Sequence, residues 1–368
     1  MGYRDGRYVR IFDAATNDRP SALLDAASAV DQGNVMAADP LSDVLRAVRL
    51  TGATFFDVVA RAPWCAEQPT REQVLPKILP GAEHLISYHV VTDGECWAQR
   101  VDSGRDEPPV HLTAGEVVVF TKGDPHVMAS APGMRAQPVT QAEVDAATAG
   151  PLPFYRDVYN EGGADRPPSV KLVCGFLACD ARPFNPLIDN LPPVIKSGRE
   201  GGDGTPWLAE FIRLAQVEAA AKRAGGDGVL AKLSELMFIE VVRRYLETLQ
   251  PEQAGWLAGL RDPSVGKSLA LMHAAPAQPW TLEELAKEVG VSRSVLAERF
   301  AELVGMPPMH YLARWRMQIA AGLLSGGGAN IATIAAETGY GSEAAFSRAF
   351  KKMVGMPPAA WRRRRDAA

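Results

Sequence analysis

Ala286-Lys287-Glu288-Val289-Gly290, Phe300 and Gly305-Met306-Pro307-Pro308 recur as Ala335-Ala336-Glu337-Thr338-Gly339, Phe350 and Gly355-Met356-Pro357-Pro358. The offset is 49 residues up to the glycines and 50 beyond them, so the second copy has one extra turn residue. A self-similar pair of this kind is two copies of one supersecondary unit. In the first copy Thr281 and Glu284 have capping-box spacing. Leu282, Leu285, Ala286 and Val289 make an apolar stripe at helical period. Gly290 sits where a helix end wants a left-handed residue, and Ser292 caps a second helix carrying Leu296, Phe300 and Leu303. The second copy repeats the plan with Ile331, Ile334, Ala335, Gly339, Ser342, Phe346, Phe350 and Met353.

Two short helices joined by a glycine-containing turn form a helix-turn-helix, whose second helix enters a DNA major groove. Between the units, residues 309–324 read as a helix with Tyr311, Leu312, Trp315, Ile319 and Leu323 on its core side, ended by Gly326-Gly327-Gly328. That helix would space the two recognition helices about 34 Å apart, one turn of B-DNA. Gly339-Tyr340-Gly341-Ser342, Phe346-Ser347-Arg348-Ala349-Phe350-Lys351, Gly355-Met356-Pro357-Pro358 and Trp361-Arg362 resemble the signature of AraC/XylS-type transcription regulators. The resemblance implies binding of double-stranded promoter DNA and activation or repression through RNA polymerase. The solvent face of the first recognition helix holds Arg293, Ser294, Ala297 and Glu298; that of the second holds Glu343, Ala344, Ser347 and Arg348. Arg348 suits bidentate guanine readout, while Lys351, Lys352 and Arg362 suit phosphates.

Composition agrees. Residues 264–368 hold 13 Lys/Arg against 8 Asp/Glu, while the rest of the chain holds 26 against 35. A basic end on an acidic body fits a phosphate-binding domain attached to one that avoids nucleic acid. No run of 18 apolar residues argues for a membrane span, and the N-terminus lacks a signal-type apolar stretch, so the expected location is the cytoplasm.

Residues 1–36 have little periodicity and read as a flexible extension, with Met36 an alternative start. Leu41, Val44, Leu45 and Val48 mark an amphipathic helix. Strand-like runs follow at 84–91, 95–101, 116–121, 126–130 and 170–179, the pattern of an antiparallel sandwich or barrel. Gly115-Glu-Val-Val-Val-Phe-Thr-Lys-Gly123-Asp-Pro-His126 resembles the second cupin motif, with Thr121 where proline is usual. Tyr88-His-Val-Val-Thr-Asp-Gly94 stands where the first cupin motif would, without its histidine pair and glutamate. Residues 181–204 read as a crossover loop, 205–223 and 228–249 as helices, and 251–263 as a linker. The apolar stripe on 228–249 is either packed on the barrel or used for homodimer pairing.

The expected organisation is α+β and multidomain: the extension over 1–36, a cupin-like antiparallel β-barrel effector domain over 37–204, connecting helices over 205–263 and an all-α double helix-turn-helix over 264–368. The cupin resemblance implies that His126 points inward, and His89, in an apolar strand five residues before Gly94, should share that face. Cys174 and Cys179, five apart, cannot both face in. Cys65, His89, His126 and Cys174 then offer a tetrahedral set for zinc, or a redox-sensitive thiol pair, or ordinary core packing, with a small organic effector as a further option. Their arrangement is similar to the sensing domain of a reactive-chlorine-responsive AraC-type regulator. Cys96 and Cys179 read as packing. A cupin-type metal-dependent enzyme fused to a DNA-binding domain is the alternative function.

Overall fold

The computed structural model describes residues 39–78, 81–101, 107–149, 154–160, 163–198, 206–221, 223–250 and 253–366. The extension expected over 1–36, Met36 included, lies outside them. Helix α1 (Pro40–Ala47) opens the described chain, capped by Asp39, whose carboxylate accepts from Leu41 N. The sheet comprises β1 (Thr51–Arg61), β2 (Cys65–Glu67), β3 (His84–Arg100), β4 (Val110–Thr113), β5 (Val117–Phe120), β6 (His126–Ala129), β7 (Phe154–Tyr159), β8 (Val170–Cys179) and β9 (Val194–Ser197). Two short helices, α2 (Arg71–Ile78) and α3 (Gln141–Ala147), interrupt it.

The main path runs β2-β6-β3-β8-β1-β7, with β4 and β5 also on β3 and β9 on β5. The runs 84–91 and 95–101 are one strand, bent by a register shift between Val91 and Asp93 as it pairs with β8. Its first half pairs with β5 and its second with β4 and β6, so a single strand curls the sheet around the cavity. The all-antiparallel expectation fails at one edge, where β7 runs parallel to β1. Nor is 181–204 a bare loop: α4 (Pro186–Asn190) and β9 lie within it.

Along β3 and β8, alternate side chains enter different apolar clusters. Leu85, Val91, Leu172, Cys174 and Phe176 face the barrel interior. Ile86, Tyr88, Val90, Val173 and Leu177 face outward into a second cluster. The outer cluster takes in Phe211 of α5 (Pro206–Ala221) and Met237, Phe238 and Val241 of α6 (Gly226–Thr248). Hence much of the α6 apolar stripe packs on the barrel, leaving Val229 and Leu236 exposed.

The segment read as a linker is also packed. In α7 (Trp256–Arg261) Trp256 is fully buried, and α8 (Pro263–Ala274) begins on Asp262, whose carboxylate caps Ser264 N and Val265 N. Trp256, Leu257 and Ala258 supply the driving force that the flanking glycines and prolines mask in the sequence. Then come α9 (Leu282–Val289), α10 (Arg293–Val304), α11 (Pro308–Ser325), α12 (Ile331–Glu337), α13 (Glu343–Val354) and α14 (Pro358–Asp366). The capping box at Thr281 and Glu284 forms as expected. Gly339 has φ +77°, and a Cβ there would lie 2.6 Å from Ala277 O, so only glycine fits that turn.

The two units divide between cores. Leu285, Leu296, Phe300, Tyr311 and Trp315 belong to the outer cluster of the barrel, without a break. Met317, Leu324, Ile334, Phe346, Phe350 and Trp361 form a separate one. The first helix-turn-helix is therefore packed into the barrel domain, whereas the second is held largely by the far half of α11.

Polar contacts fix the joint. Gln318 of α11 is 1% exposed; its Oε1 accepts from Phe184 N at 3.0 Å and its Nε2 donates to Ala47 O at 3.1 Å. Trp256 Nε1 donates to Tyr311 Oη at 2.9 Å, which leaves that hydroxyl to donate to His273 Nε2 at 2.9 Å. His273 Nδ1 then faces Asp43 Oδ2 of α1 at 3.7 Å. Asp43 is held below its ordinary pKa, chiefly by this histidine, whereas burial pulls His273 down despite the carboxylate. For a group so enclosed burial dominates, and His273 is neutral.

Candidate functional site

The recognition helices present their candidate readers to solvent. Arg293, Ser294, Glu298, Glu343, Ala344 and Arg348 are exposed at the starts of α10 and α13, with Ala297 and Ser347 half-buried beside them. Ser292 Oγ accepts from Val295 N at 3.3 Å and Ser342 Oγ from Ala345 N at 3.2 Å, fixing where each helix starts. Lys351 and Lys352 are exposed, and among the described residues neither they nor Arg348 enters an ion pair. Arg348 is thus not tied up in a surface salt bridge.

Arg362 is half-buried, and its Nη2 donates to Ala329 O at 2.7 Å, which fastens the α11–α12 loop. Arg363 and Arg364 beside it are exposed. The sequence reading also passed over Val295, an apolar side chain 51% exposed in the first turn of α10.

Inside the barrel, register decides which residues meet. His89 of β3 pairs directly with Cys174 of β8 and lies opposite Val118 of β5. His89 Nδ1 is 2.9 Å from Cys174 Sγ, and its Nε2 is 2.8 Å from His126 Nε2. His126 Nδ1 is 2.9 Å from Asp124 O, a carbonyl that only accepts, so this nitrogen carries the proton. The remaining protons follow: His89 Nε2–H donates to His126 Nε2, and the Cys174 thiol donates to His89 Nδ1. His126 also stacks on Phe120 at 3.6 Å between ring centroids. Burial holds all three groups neutral: it pushes Cys174 well above its ordinary pKa, pulls His89 well below, and takes His126 down to about 4.

The four-ligand zinc set does not assemble. Cys65 pairs with Ala129 across β2 and β6, and it is not among the residues that line the cavity, although Trp64, Ala66 and Glu67 around it are. The other three form a chain of hydrogen bonds: His89 has one nitrogen on each neighbour and none left for an ion. Among the described residues, no group of three or more His, Cys, Asp or Glu is placed to hold a metal ion. Cys96 and Cys179 are buried, in the inner and outer clusters respectively.

His89 and Cys174 form part of the wall of a cavity of about 80 Å³. The rest is mainly apolar, with Phe56, Val58, Trp64, Val74, Met128, Val158, Leu172 and Phe176, plus Glu67, Gln68 and Arg156. Apolar walls with a few polar groups characterise small-molecule sites, but drug-sized ligands need roughly 300–1,000 Å³. An occupant of more than a few atoms must therefore move the walls.

A family model described as Cupin matches residues 39–247, and one described as Helix-turn-helix domain matches residues 285–364. An AraC-like transcription regulator of Streptomyces lividans is 33% identical over 327 residues, 88% of this chain and 98% of that protein. The HTH-type transcriptional regulator AlkR of Acinetobacter baylyi is 35% identical over 179 residues, 48% of this chain and 58% of that protein. The RCS-specific HTH-type transcriptional activator RclR of Escherichia coli is 31% identical over 158 residues, 43% of this chain and 55% of that protein. All these relatives are transcription regulators, which decides against the cupin-type enzyme. Among the described residues no helix is long and apolar enough to cross a membrane. A cupin-like barrel packed against a double helix-turn-helix, matched nearly end to end by an AraC-like regulator, belongs to the AraC-type family of DNA-binding transcription regulators.

Proposed function

We propose that this regulator holds promoter DNA through α10 and α13, and that a small, mostly apolar molecule entering the barrel cavity resets that grip. One observation carries the proposal: the cavity wall and the core shared with the first helix-turn-helix are two faces of the same strands. His89 and Cys174 line the cavity, while Tyr88 and Val173, one residue away, lie in the shared core. Ser234 Oγ donates to Leu230 O, so the 2.7 Å contact between Tyr88 Oη and Ser234 Oγ has tyrosine as donor, linking β3 to α6. An occupant that spreads β3 and β8 shifts this contact and biases the packing of the first unit.

The test uses full-length protein and an operator selected from random duplexes. Leu172→Phe, which fills the cavity without a ligand, is expected to change operator affinity at least fivefold, the lower end of allosteric coupling. Adding Tyr88→Phe should cancel the change. Equal affinity in all three proteins contradicts the coupling. On the DNA side, Lys351→Ala should reduce the slope of log affinity against log salt by about 1, and Arg348→Ala should cost about 1–3 kcal/mol of discrimination at one base pair. An unchanged slope, or unchanged preference over scrambled DNA, removes that residue from its role.

A second reading rests on the contact between Cys174 and His89. A thiol donating to an imidazole that a second histidine orients has the layout of an activated nucleophile. Hypochlorous acid would convert that thiol to a sulfenic acid and release chloride. In the closed barrel the protonated thiol is quiet, so this route needs the same wall movement. Free-thiol counts before and after hypochlorous acid decide it: loss confined to Cys174 supports it, and an unreactive Cys174 excludes it. The regulator would act in the cytoplasm with RNA polymerase, as a homodimer. Leu214 and Val217 on α5, with Val229 and Leu236 on α6, expose apolar surface at helical spacing that a second copy would cover.

A further inference from the structure

We infer that the first recognition helix reads pyrimidines, with Val295 packed on the 5-methyl group of thymine and Glu298 accepting from the N4 amino group of cytosine, while the second supplies the electrostatic anchor. This rests on the promoter-binding reading. Superposing the copies at their offset of 50 pairs Arg293 with Glu343, Glu298 with Arg348 and Glu302 with Lys352. The charge is inverted at each of these positions. α13 also adds Lys351, where α10 has Ala301. A helix with Arg348, Lys351 and Lys352 exposed is attracted to phosphates from any direction.

α10 has no such excess, with Arg293 and Arg299 against Glu298 and Glu302. Arg299, next to Glu298, is occupied: it pairs with Asp262 at 3.0 Å and Glu302 at 2.8 Å. Arg293 is 3.3 Å from Glu283. Glu298 is exposed and, among the described residues, enters no ion pair. An uncompensated carboxylate facing DNA is repelled unless it accepts a hydrogen bond from a base. Major-groove donors are the amino groups of cytosine and adenine, and adenine sets the N7 acceptor beside its donor. A carboxylate has nothing to give that acceptor, so cytosine is the base it tolerates best. Val295 lies three residues earlier on the same solvent side and carries no hydrogen-bonding group. The apolar feature of the major groove is the thymine methyl.

The experiment takes the operator selected with full-length wild-type protein and replaces thymine by uracil, one position at a time. At one position uracil is expected to weaken wild-type binding about fourfold, the worth of one buried methyl group. Val295→Ala should bind the two duplexes equally. Glu298→Gln should move the preferred base at a neighbouring position from cytosine to adenine, by about tenfold, because a glutamine amide matches adenine N6 and N7. Uracil without effect at every position overturns the Val295 assignment. Uniformly tighter binding by Glu298→Gln, with base preference unchanged, overturns the Glu298 assignment. A wild-type protein that selects no sequence at all overturns the promoter-binding reading itself, and this inference with it.

Discussion

Phe300→Ala is expected to destabilise the barrel and the first helix-turn-helix together, by about 3–5 kcal/mol, the usual cost of deleting a buried phenylalanine ring. Phe300 is fully buried, meets Tyr311 edge to face at 5.8 Å between centroids, and shares a cluster with Tyr88 and Val173 of the sheet. The cavity left by alanine opens in a core that both domains use. Phe350, its counterpart, is equally buried, but it packs on Phe346 and Trp361 in the separate cluster. Phe350→Ala should therefore abolish operator binding while leaving the unfolding midpoint of the barrel near wild type. Urea unfolding followed by barrel and second-unit probes checks both. Equal effects of the two substitutions on the barrel would mean that the helix-turn-helix units are energetically alike.

Acid should loosen the molecule well above the range where carboxylates titrate. His126 has its folded pKa lowered to about 4 by burial against an ordinary 6.5. Between these values the unfolded chain binds the proton and the folded chain does not, so stability rises with pH across that window and is lost as pH falls below 6.5. Between pH 7 and pH 5 this one group contributes a loss of about 2 kcal/mol. His89 and His273, also lowered by burial, act in the same direction. His126→Asn should cut the pH dependence of the unfolding free energy over this interval by that amount. Identical pH profiles for variant and wild type would show that His126 is not buried neutral.

The repeat, its caps and the positive-φ glycines were legible because they are local: each is decided by residues within one turn. Strand parity likewise held in that only one of Cys174 and Cys179 faces in, since alternation needs only a continuous strand. What was not legible depends on pairing across long separations. Nothing near Cys65 says that its thiol stays out of a cavity wall that Trp64, Ala66 and Glu67 line. The contact between His89 and Cys174 needs the register of two strands 85 residues apart. The parallel β1–β7 edge is decided by the same kind of long-range pairing. The stretch around Trp256 was misread because glycine and proline flank it, although its own residues are apolar. Gln318 left a faint signal, a lone amide on the apolar side of α11, which buried partners explain only once the domains are docked. Arg362 looked like part of a basic run, and only the fold reveals that the loop carbonyl of Ala329 claims it.

Native-state hydrogen exchange on the full chain, resolved by peptide, tests most directly whether the first helix-turn-helix is part of the barrel's outer core. Amides of α10 should open with the same free energy as those of β8 and α6, because one apolar cluster holds them, while α13 opens at lower cost on its own. If α10 and α13 instead exchange together, independently of the barrel, the two units form one autonomous domain. The shared core would then have no part in carrying a signal from the cavity to DNA.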